Sequence, residues 1–438
     1  VLDDAIDAFH RAESRLVADA DPVWLQDGAP HVWRPYCQHE TAAPPLPVVA
    51  GRGSRLVLAD GNELVDGIAS WWTVVHGYGH PHIQEGVARQ LRTLPHVAFG
   101  GLANEPAYTL AARLVKLLPR PLSRVFFAES GSVSVEVAVK MAIQSFQNRG
   151  RPRSTVVAFE GAYHGDTFAT MSLSDPEDGM HRAFRGLGVP VVHLPLPRAN
   201  DGGAFERALE RVASELSCVI VEPLVQCAGG MRFHDAEALQ RIRRACDAHG
   251  AWLVFDEIAT GFFRTGTRFA MDRAGVVPDI VTLGKALTGG NLPLAAAVAS
   301  DAVFEAFSSQ DASHALQHGP TYMGHALACA AAHASLDLFE REDYAEKARA
   351  LEGTMRAALA PLEGRPHVRE VRCRGGIGVV EMEPGSAPAS DAFASRGAFV
   401  RPLRLKSCDV VYLMPPLVIE RADLEVLLAA IDDAIPVG

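Results

Sequence analysis

The chain has 438 residues, 48% hydrophobic and 21% charged, which at roughly 150 residues per domain predicts two or three domains around a large buried core. Lys plus Arg total 41 against 52 Asp plus Glu, and a formal charge of −11 argues against general nucleic-acid binding, which needs a basic footprint. No stretch approaches the ~20 uncharged apolar residues of a membrane span, and Val1-Leu2-Asp3-Asp4 lacks the positive start of a signal peptide, so a cytoplasmic, non-membrane protein is expected.

Leu2, Ile6, Phe9 and Leu16 fall near helical spacing and predict a short amphipathic helix at the N-terminus. The Pro-rich run from Ala43 to Pro47 blocks regular structure. Beyond it, Arg55 to Asp66 reads as a hairpin, because Asp60-Gly61 separates two alternating runs. Five short apolar runs follow: Val125–Ala128, Thr155–Phe159, Cys218–Val221, Leu253–Phe255 and Ile280–Leu283. Runs of this kind between helical stretches predict parallel strands covered on both faces, an α/β domain. Ala326 to Phe339 and Tyr344 to Leu362 have helical spacing; Gly376 to Met382 and Val410 to Met414 look like strands, and a last helix lies around Leu424 to Ile435. The expected organisation is an N-terminal segment 1–75 that joins the small domain, a large α/β domain 76–328, and a small α+β domain 329–438.

Cys37, Cys218, Cys227, Cys246, Cys329, Cys373 and Cys408 are odd in number, scattered, and contain no Cys-x-x-Cys pair. That pattern predicts neither a disulfide framework nor a metal site. Nucleotide motifs fail as well. The pairs Gly51/Gly53, Gly77/Gly79 and Gly376/Gly378 lack the third glycine of a dinucleotide fingerprint, and Gly284-Lys285 is followed by Ala286 without the earlier glycine of a phosphate-binding P-loop.

Three local signals carry chemistry. Glu129-Ser130-Gly131-Ser132 ends a strand and opens a helix, where free N–H groups and the helix dipole offer a phosphate seat. Asp256 ends the run Leu253–Phe255 at the carboxyl edge of the sheet, where open α/β sheets bind ligands. Lys285 ends Ile280–Leu283 in a turn flanked by glycine, a place where an amine can lose its proton and act as a nucleophile. Singly, each is an ordinary strand-end charge or helix cap. Together they supply what pyridoxal 5′-phosphate requires: an amine for a Schiff base, a carboxylate for its ring nitrogen and a phosphate cradle. Tyr163 and Ile258 are placed to cover the two faces of its ring.

Phe-Asp-Glu-Ile-Ala-Thr-Gly at 255–261 with Leu-Gly-Lys-Ala-Leu-Thr-Gly-Gly at 283–290 resembles the class III aminotransferases of fold type I, and the resemblance extends over nearly the whole chain from His31. His-Val-Trp-Arg-Pro-Tyr at 31–36, Ser70-Trp71-Trp72, His-Val-Ala-Phe-Gly-Gly at 96–101 and His-Gly-Pro-Thr at 318–321 resemble one subgroup. That subgroup takes its amino group from S-adenosylmethionine and gives it to 8-amino-7-oxononanoate in biotin biosynthesis. The resemblance implies a large, mostly parallel sheet domain with a smaller α+β domain from both chain ends, and a ping-pong reaction. It assigns the internal Schiff base and proton transfer to Lys285, the pyridinium contact to Asp256 and the phosphate to Gly131 and Ser132. Pro320 and Thr321 would reach the phosphate from the second subunit of a homodimer. Tyr36, Trp71, Tyr163, Gly319 and Arg401 would line the substrate pocket, Arg401 gripping a carboxylate. Because Trp71 and Trp72 are adjacent, an extended segment would put one in the pocket and one in the core.

Departures from the family pattern are Phe263 and Cys227 in place of glycine, and His325-Ala326 in place of Asn-Pro. Phe263 is expected to alter the local backbone. An insertion within Leu403 to Cys408 separates Arg401 from Tyr412 and leaves Arg404 as an alternative carboxylate anchor. A lysine donor, a general ω-aminotransferase acting on 4-aminobutyrate or ornithine, and a non-catalytic protein of the same fold are the rival readings.

Overall fold

A computed structural model describes residues 21–178, 181–184 and 186–437; the expected helix over Leu2 to Leu16 lies outside them. The hairpin is present as β2 (Arg55–Leu58) and β3 (Glu63–Asp66), extended into an antiparallel meander by β1 (Val48–Arg52). The large sheet is built from β4 (Leu122–Ala128), β5 (Thr155–Phe159), β6 (Val191–Leu194) and β7 (Leu216–Val221). A two-stranded ribbon of β8 (Val225–Gln226) and β9 (Arg232–Phe233) follows. Then β10 (Trp252–Asp256), β11 (Ile280–Leu283) and β12 (Ala295–Ser300) complete the sheet, whose seven strands run in the order β4-β12-β11-β10-β7-β5-β6.

Both faces of this sheet are covered, as the continuous apolar runs require. Val156, Ala158, Cys218, Ile220 and Val254 pack on one face, with the helix Gly131–Asn148, while Val157, Phe159, Val219, Val221, Leu253 and Phe255 pack on the other. All five expected strands are there. Strands β6 and β12 were not anticipated. β12 is also the exception to parallel pairing, running antiparallel to both β11 and β4. Its sequence, Ala-Ala-Ala-Val-Ala-Ser, has low strand propensity and reads locally as helix. The alternation of Ala297 and Ala299 on one face with Ala296 and Val298 on the other identifies it once the sheet exists.

The C-terminal part contains β13 (Val368–Arg374), β14 (Ile377–Met382), β15 (Ala398–Phe399), β16 (Leu403–Arg404) and β17 (Asp409–Leu413), with one short helix, Ser390–Ala394, between β14 and β15. A sheet of order β13-β14-β17-β16 forms there, and β15 leaves it to pair in parallel with β3. The helices Ala326–Arg341, Tyr344–Leu359 and Arg421–Ala434 match the helical runs in the sequence. Among the described residues no helix is long and apolar enough to cross a membrane.

For function, direction matters most. β4, β10 and β11 run the same way, so their carboxyl ends bring Ser130, Asp256 and Lys285 to one edge of the sheet. Ala297 of β12 is fully buried in the cluster that contains Val135, Ala138 and Val139 of the helix Gly131–Asn148. Ala297→Leu is expected to overpack that interface and cost about 1–3 kcal/mol, read as a lower midpoint in urea unfolding.

Candidate active site

At the end of β4, Ser130 caps the helix Gly131–Asn148, its hydroxyl accepting from the Val133 N–H at 3.2 Å. The N–H groups of Gly131 and Ser132 lie in the first turn and have no intrahelical acceptor. Gly131 packs closely on Ile258: a Cβ there would lie 3.1 Å from Cδ1 of that side chain, which would have to shift slightly. Ser132 Oγ accepts from the Asp166 N–H at 3.0 Å, an approach possible only because residue 165 is glycine, with φ 125° and no room for a Cβ.

Asp256 is buried and fully engaged. Its Oδ2 accepts from His164 Nδ1 at 2.8 Å, and its Oδ1 accepts from the Ile258 N–H at 3.1 Å and Thr282 Oγ1 at 3.2 Å. His164 Nε2 is buried without a partner. A second buried carboxyl, Glu222, accepts from the N–H groups of Tyr163 and Cys227 at 3.0 and 2.9 Å, and burial pushes its pKa up to about 7.

Lys285 follows β11 with φ 46°, the left-handed region that non-glycine residues avoid. Burial pushes its pKa down, opposed in part by the negative charge of Asp256, with smaller help from Glu222 and Asp166. Its Nζ lies 4.9 Å from the centre of the Trp72 ring. A buried polar chain holds the turn: Tyr344 OH contacts His76 Nδ1 at 2.5 Å, His76 Nε2 contacts Ser335 Oγ at 2.8 Å, and Ser335 donates to the Ala286 carbonyl at 3.2 Å. Because the serine proton is used on that carbonyl, His76 must donate from Nε2 and accept at Nδ1. Burial, the larger effect, pushes the His76 pKa down to about 3 and keeps it neutral.

The aromatic residues gather around a single carboxylate oxygen. Asp166 Oδ1 accepts from Tyr36 OH, from Tyr163 OH at 3.0 Å and from His181 Nε2 at 2.8 Å. Against the effect of burial, these three donors hold the Asp166 pKa below the ordinary carboxylate value. Burial and the Asp166 charge push both phenols well above their ordinary range, so both stay protonated. The Tyr163 ring stacks on His181, with centroids 5.8 Å apart.

Trp71 and Trp72 do not lie on an extended segment. Residues 69–72 all have positive φ and form one left-handed turn, which Asp66 holds by accepting from the Ile68 and Ser70 N–H groups at 2.8 Å each and from Tyr78 OH at 2.5 Å. Trp71 is exposed, with the Arg401 guanidinium 5.2 Å from its ring centre; Trp72 is buried, packs on Tyr412 and also borders Lys285. Division into one exposed and one buried tryptophan therefore arises from a turn rather than from strand alternation. Of the two arginines, Arg404 is committed to Asp409 Oδ2 at 2.8 Å and to the Ala387 carbonyl at 2.9 Å. Arg401 has no ion pair among the described residues.

Gly319, Pro320 and Thr321 lie on a loop held against the helix Gly131–Asn148, tied by Gln144 to the Ala315 carbonyl at 2.7 Å and by Lys140 to His318 at 3.1 Å, and Gly319 and Thr321 are exposed. Phe263 adopts φ 68°, the conformation a glycine would take, so the backbone shape is kept at some cost in strain while its ring packs 5.6 Å from Phe339. His325 caps the helix Ala326–Arg341, its Nδ1 accepting from the Ala328 N–H at 3.4 Å. Cys227 is fully buried.

These groups fit pyridoxal phosphate. An unpaired amine, a carboxylate anchored through a histidine with a spare buried nitrogen, and two free N–H groups face one sheet edge. His164, Glu222, Asp166 and His181 were missed as contributors. The first three have a signal in hindsight, as polar residues beside Tyr163 or at the end of a buried strand; His181 has none.

A family profile described as aminotransferase class-III matches residues 36–435. The adenosylmethionine-8-amino-7-oxononanoate aminotransferase of Mycobacterium leprae is 43% identical over 415 residues, covering 92% of this chain and 94% of that protein. The protein of the same name from Corynebacterium glutamicum is 40% identical over 398 residues, covering 88% and 92%. Among solved structures, the adenosylmethionine-8-amino-7-oxononanoate aminotransferase of Methanocaldococcus jannaschii matches with TM-score 0.88 and 31% identity, over 94% of this chain and 99% of that one. An (S)-enantioselective omega-transaminase from Thermomicrobium roseum matches with TM-score 0.87 and 32% identity, over 96% and 99%. The shape is thus shared by enzymes of different names, and substrate choice has to be argued from side chains.

Because burial lowers the Lys285 pKa, this amine is expected to be trapped by pyridoxal phosphate and borohydride at a pH where surface lysines stay protonated. Peptide mapping should find the label on Lys285, and none there in Lys285→Ala. Ser335→Ala would leave the Ala286 carbonyl and His76 Nε2 unpaired in the core, lowering stability by about 1–3 kcal/mol in thermal unfolding.

Proposed function

The chain belongs to the class-III aminotransferases, and from that membership we propose that it transfers the amino group of S-adenosylmethionine to 8-amino-7-oxononanoate, giving 7,8-diaminononanoate. It is a transaminase, and pyridoxal 5′-phosphate is its cofactor under this proposal. One observation carries the chemistry: Lys285, Asp256 and the free N–H groups of Gly131 and Ser132 meet at the carboxyl edge of β4, β10 and β11. The cofactor, when bound, supplies a carbonyl for the amine to condense with and an electron-accepting ring.

The protein's own groups supply the rest. Lys285, its pKa lowered by burial, is a neutral amine near neutral pH more readily than an ordinary lysine, and so can take a proton from the substrate carbon and return it. Asp256 would meet the ring nitrogen, its carboxyl held in place by His164, Thr282 and the Ile258 N–H. Gly131 and Ser132 would donate to the phosphate from a helix N-terminus, and Ile258 and Tyr163 would cover the ring. Pro320 and Thr321 would add to the phosphate site, and Gly319 to the substrate pocket, from the partner subunit of a homodimer. The exposure of Gly319 and Thr321 supports that arrangement.

The pocket suits both substrates. Tyr36, Tyr163 and Trp71 offer aromatic faces to the sulfonium cation of the donor and cover for the methylene chain of the acceptor, worth about 0.8 kcal/mol per buried methylene. Arg401, held over Trp71 and without a carboxylate partner among the described residues, is the anchor for the acceptor's carboxylate; Arg404 is occupied by Asp409.

The deciding experiment is a single-turnover half-reaction with S-adenosylmethionine alone, followed by the absorbance of the bound cofactor. Loss of that absorbance is expected in the native enzyme, at a rate at least about 10²–10⁴-fold lower in Lys285→Ala. Asp256→Asn should fold and turn over far more slowly. Response to lysine instead would change the donor; response to 4-aminobutyrate or ornithine alone would overturn both proposed substrates. Arg401→Ala is expected to raise KM for the keto acid and leave the donor half-reaction near native.

A further inference from the structure

The residues that separate Arg401 from Tyr412 form a hairpin rather than a loose loop. Leu403 and Arg404 pair with Val410 and Asp409, and the Leu405 N–H donates to the Cys408 carbonyl at 2.9 Å. Its tip is folded onto another part of the chain. The N–H groups of Lys406 and Ser407 donate to Asp178 Oδ1 at 2.6 and 3.2 Å, and the Ser407 hydroxyl donates to Asp178 Oδ2. Arg232 of β9 donates to the same hydroxyl at 3.2 Å, and Arg369 of β13 donates to the Ser407 carbonyl at 2.8 Å. A tip of four residues is thus held by a carboxylate, two guanidiniums and its own turn.

Asp178 is itself fixed to the segment that carries Tyr163. Its N–H donates to Asp175 Oδ1 at 2.8 Å; Asp175 Oδ2 accepts from the Gly161 N–H at 2.5 Å; the Asp175 N–H donates to the Ala162 carbonyl at 2.9 Å. Leu405 closes a small cavity whose other walls include Tyr163, Ala162, Asp178 and Gly229. A continuous hydrogen-bonded path therefore joins the hairpin that begins just after Arg401 to the peptide that precedes Tyr163.

We propose that Asp178 and the tip Leu405–Cys408 form a strap that fixes the spacing between Arg401 and Tyr163, and through it the chain length of the carboxylate-bearing acceptor. The proposal rests on Arg401 being the carboxylate anchor. Asp178 touches no reacting atom in this account; it is a positioning residue, acting through the hairpin and through Tyr163. Without the strap the hairpin pivots, the spacing is no longer single-valued, and acceptors of neighbouring length bind with similar affinity.

The test uses the enzyme loaded with pyridoxal phosphate and a graded series of straight-chain carboxylates, with binding followed by quenching of tryptophan fluorescence, Trp71 being the reporter beside Arg401. Native enzyme is expected to show one optimal length, lost in Arg401→Ala. Asp178→Ala should bind the optimal acid about tenfold more weakly and show a flattened length profile. Ser407→Ala, which removes the hydroxyl's bonds to Asp178 and Arg232 and keeps the two backbone bonds, should fall between native and Asp178→Ala and provides the readout if Asp178→Ala does not fold. A native length profile in folded Asp178→Ala, or in Ser407→Ala where Asp178→Ala does not fold, overturns the strap alone. A native enzyme with no length optimum, or an optimum that survives Arg401→Ala, overturns the anchor and the strap together.

Discussion

Burial of one carboxylate at the edge of a sheet is the constraint on which the site depends. A buried charge is costly unless its lone pairs are satisfied, and Asp256 meets that condition with three donors from three places: a histidine after β5, a threonine on β11 and the backbone two residues on. The parallel pairing of β10 with β11 sets Asp256 opposite Thr282, so sheet register and charge satisfaction are one requirement. Lys285, three residues beyond Thr282, then comes within the field of the same carboxylate. Displacing either strand by one residue would turn these side chains to the other face.

A second feature is backbone strain held in place by buried polar groups. Lys285, the turn Ala69–Trp72 and Phe262-Phe263 all adopt positive φ without glycine, at a cost of roughly 1–2 kcal/mol each. Each has an identifiable brace: the Tyr344–His76–Ser335 chain for the Lys285 turn, Asp66 with Tyr78 for the tryptophan turn, and stacking on Phe339 for the phenylalanines. Phe339 and Tyr344 flank the short link between two helices, 4.7 Å apart as ring centres, and serve two of these braces at once. The strained turns place Trp72 against the Lys285 amine and Trp71 under Arg401.

The acidic composition has a local counterpart. Asp166, Glu222 and Asp256 cluster around Lys285, each with its own donors, so the site combines several carboxylates with one amine whose pKa burial still lowers. Such a balance keeps the lysine reactive without leaving an acid unpaired.

The sequence by itself determined the elements whose signals are local. Continuous apolar runs marked five of the seven strands of the large sheet, alternation around Asp60-Gly61 marked the hairpin, and charges closing apolar runs marked Asp256 and Lys285, because strand burial and strand-end chemistry are written within a few residues. Tertiary structure alone decided what depends on distant neighbours. The alanine-rich β12 is a strand because it pairs with β11 and β4 on either side, antiparallel to both, with Ala297 and Ala299 buried against the helix Gly131–Asn148. Residues 69–72 turn left-handed where Asp66 gathers the Ile68 and Ser70 N–H groups, whereas adjacency alone suggested an extended segment. Among the described residues Arg401 has no ion pair while Arg404 is held by Asp409, and Asp178 receives the hairpin tip from 229 positions away in the chain. Local pattern sets which residues are buried and which are charged; the pairing of those charges is set by packing, where sequence separation no longer measures distance.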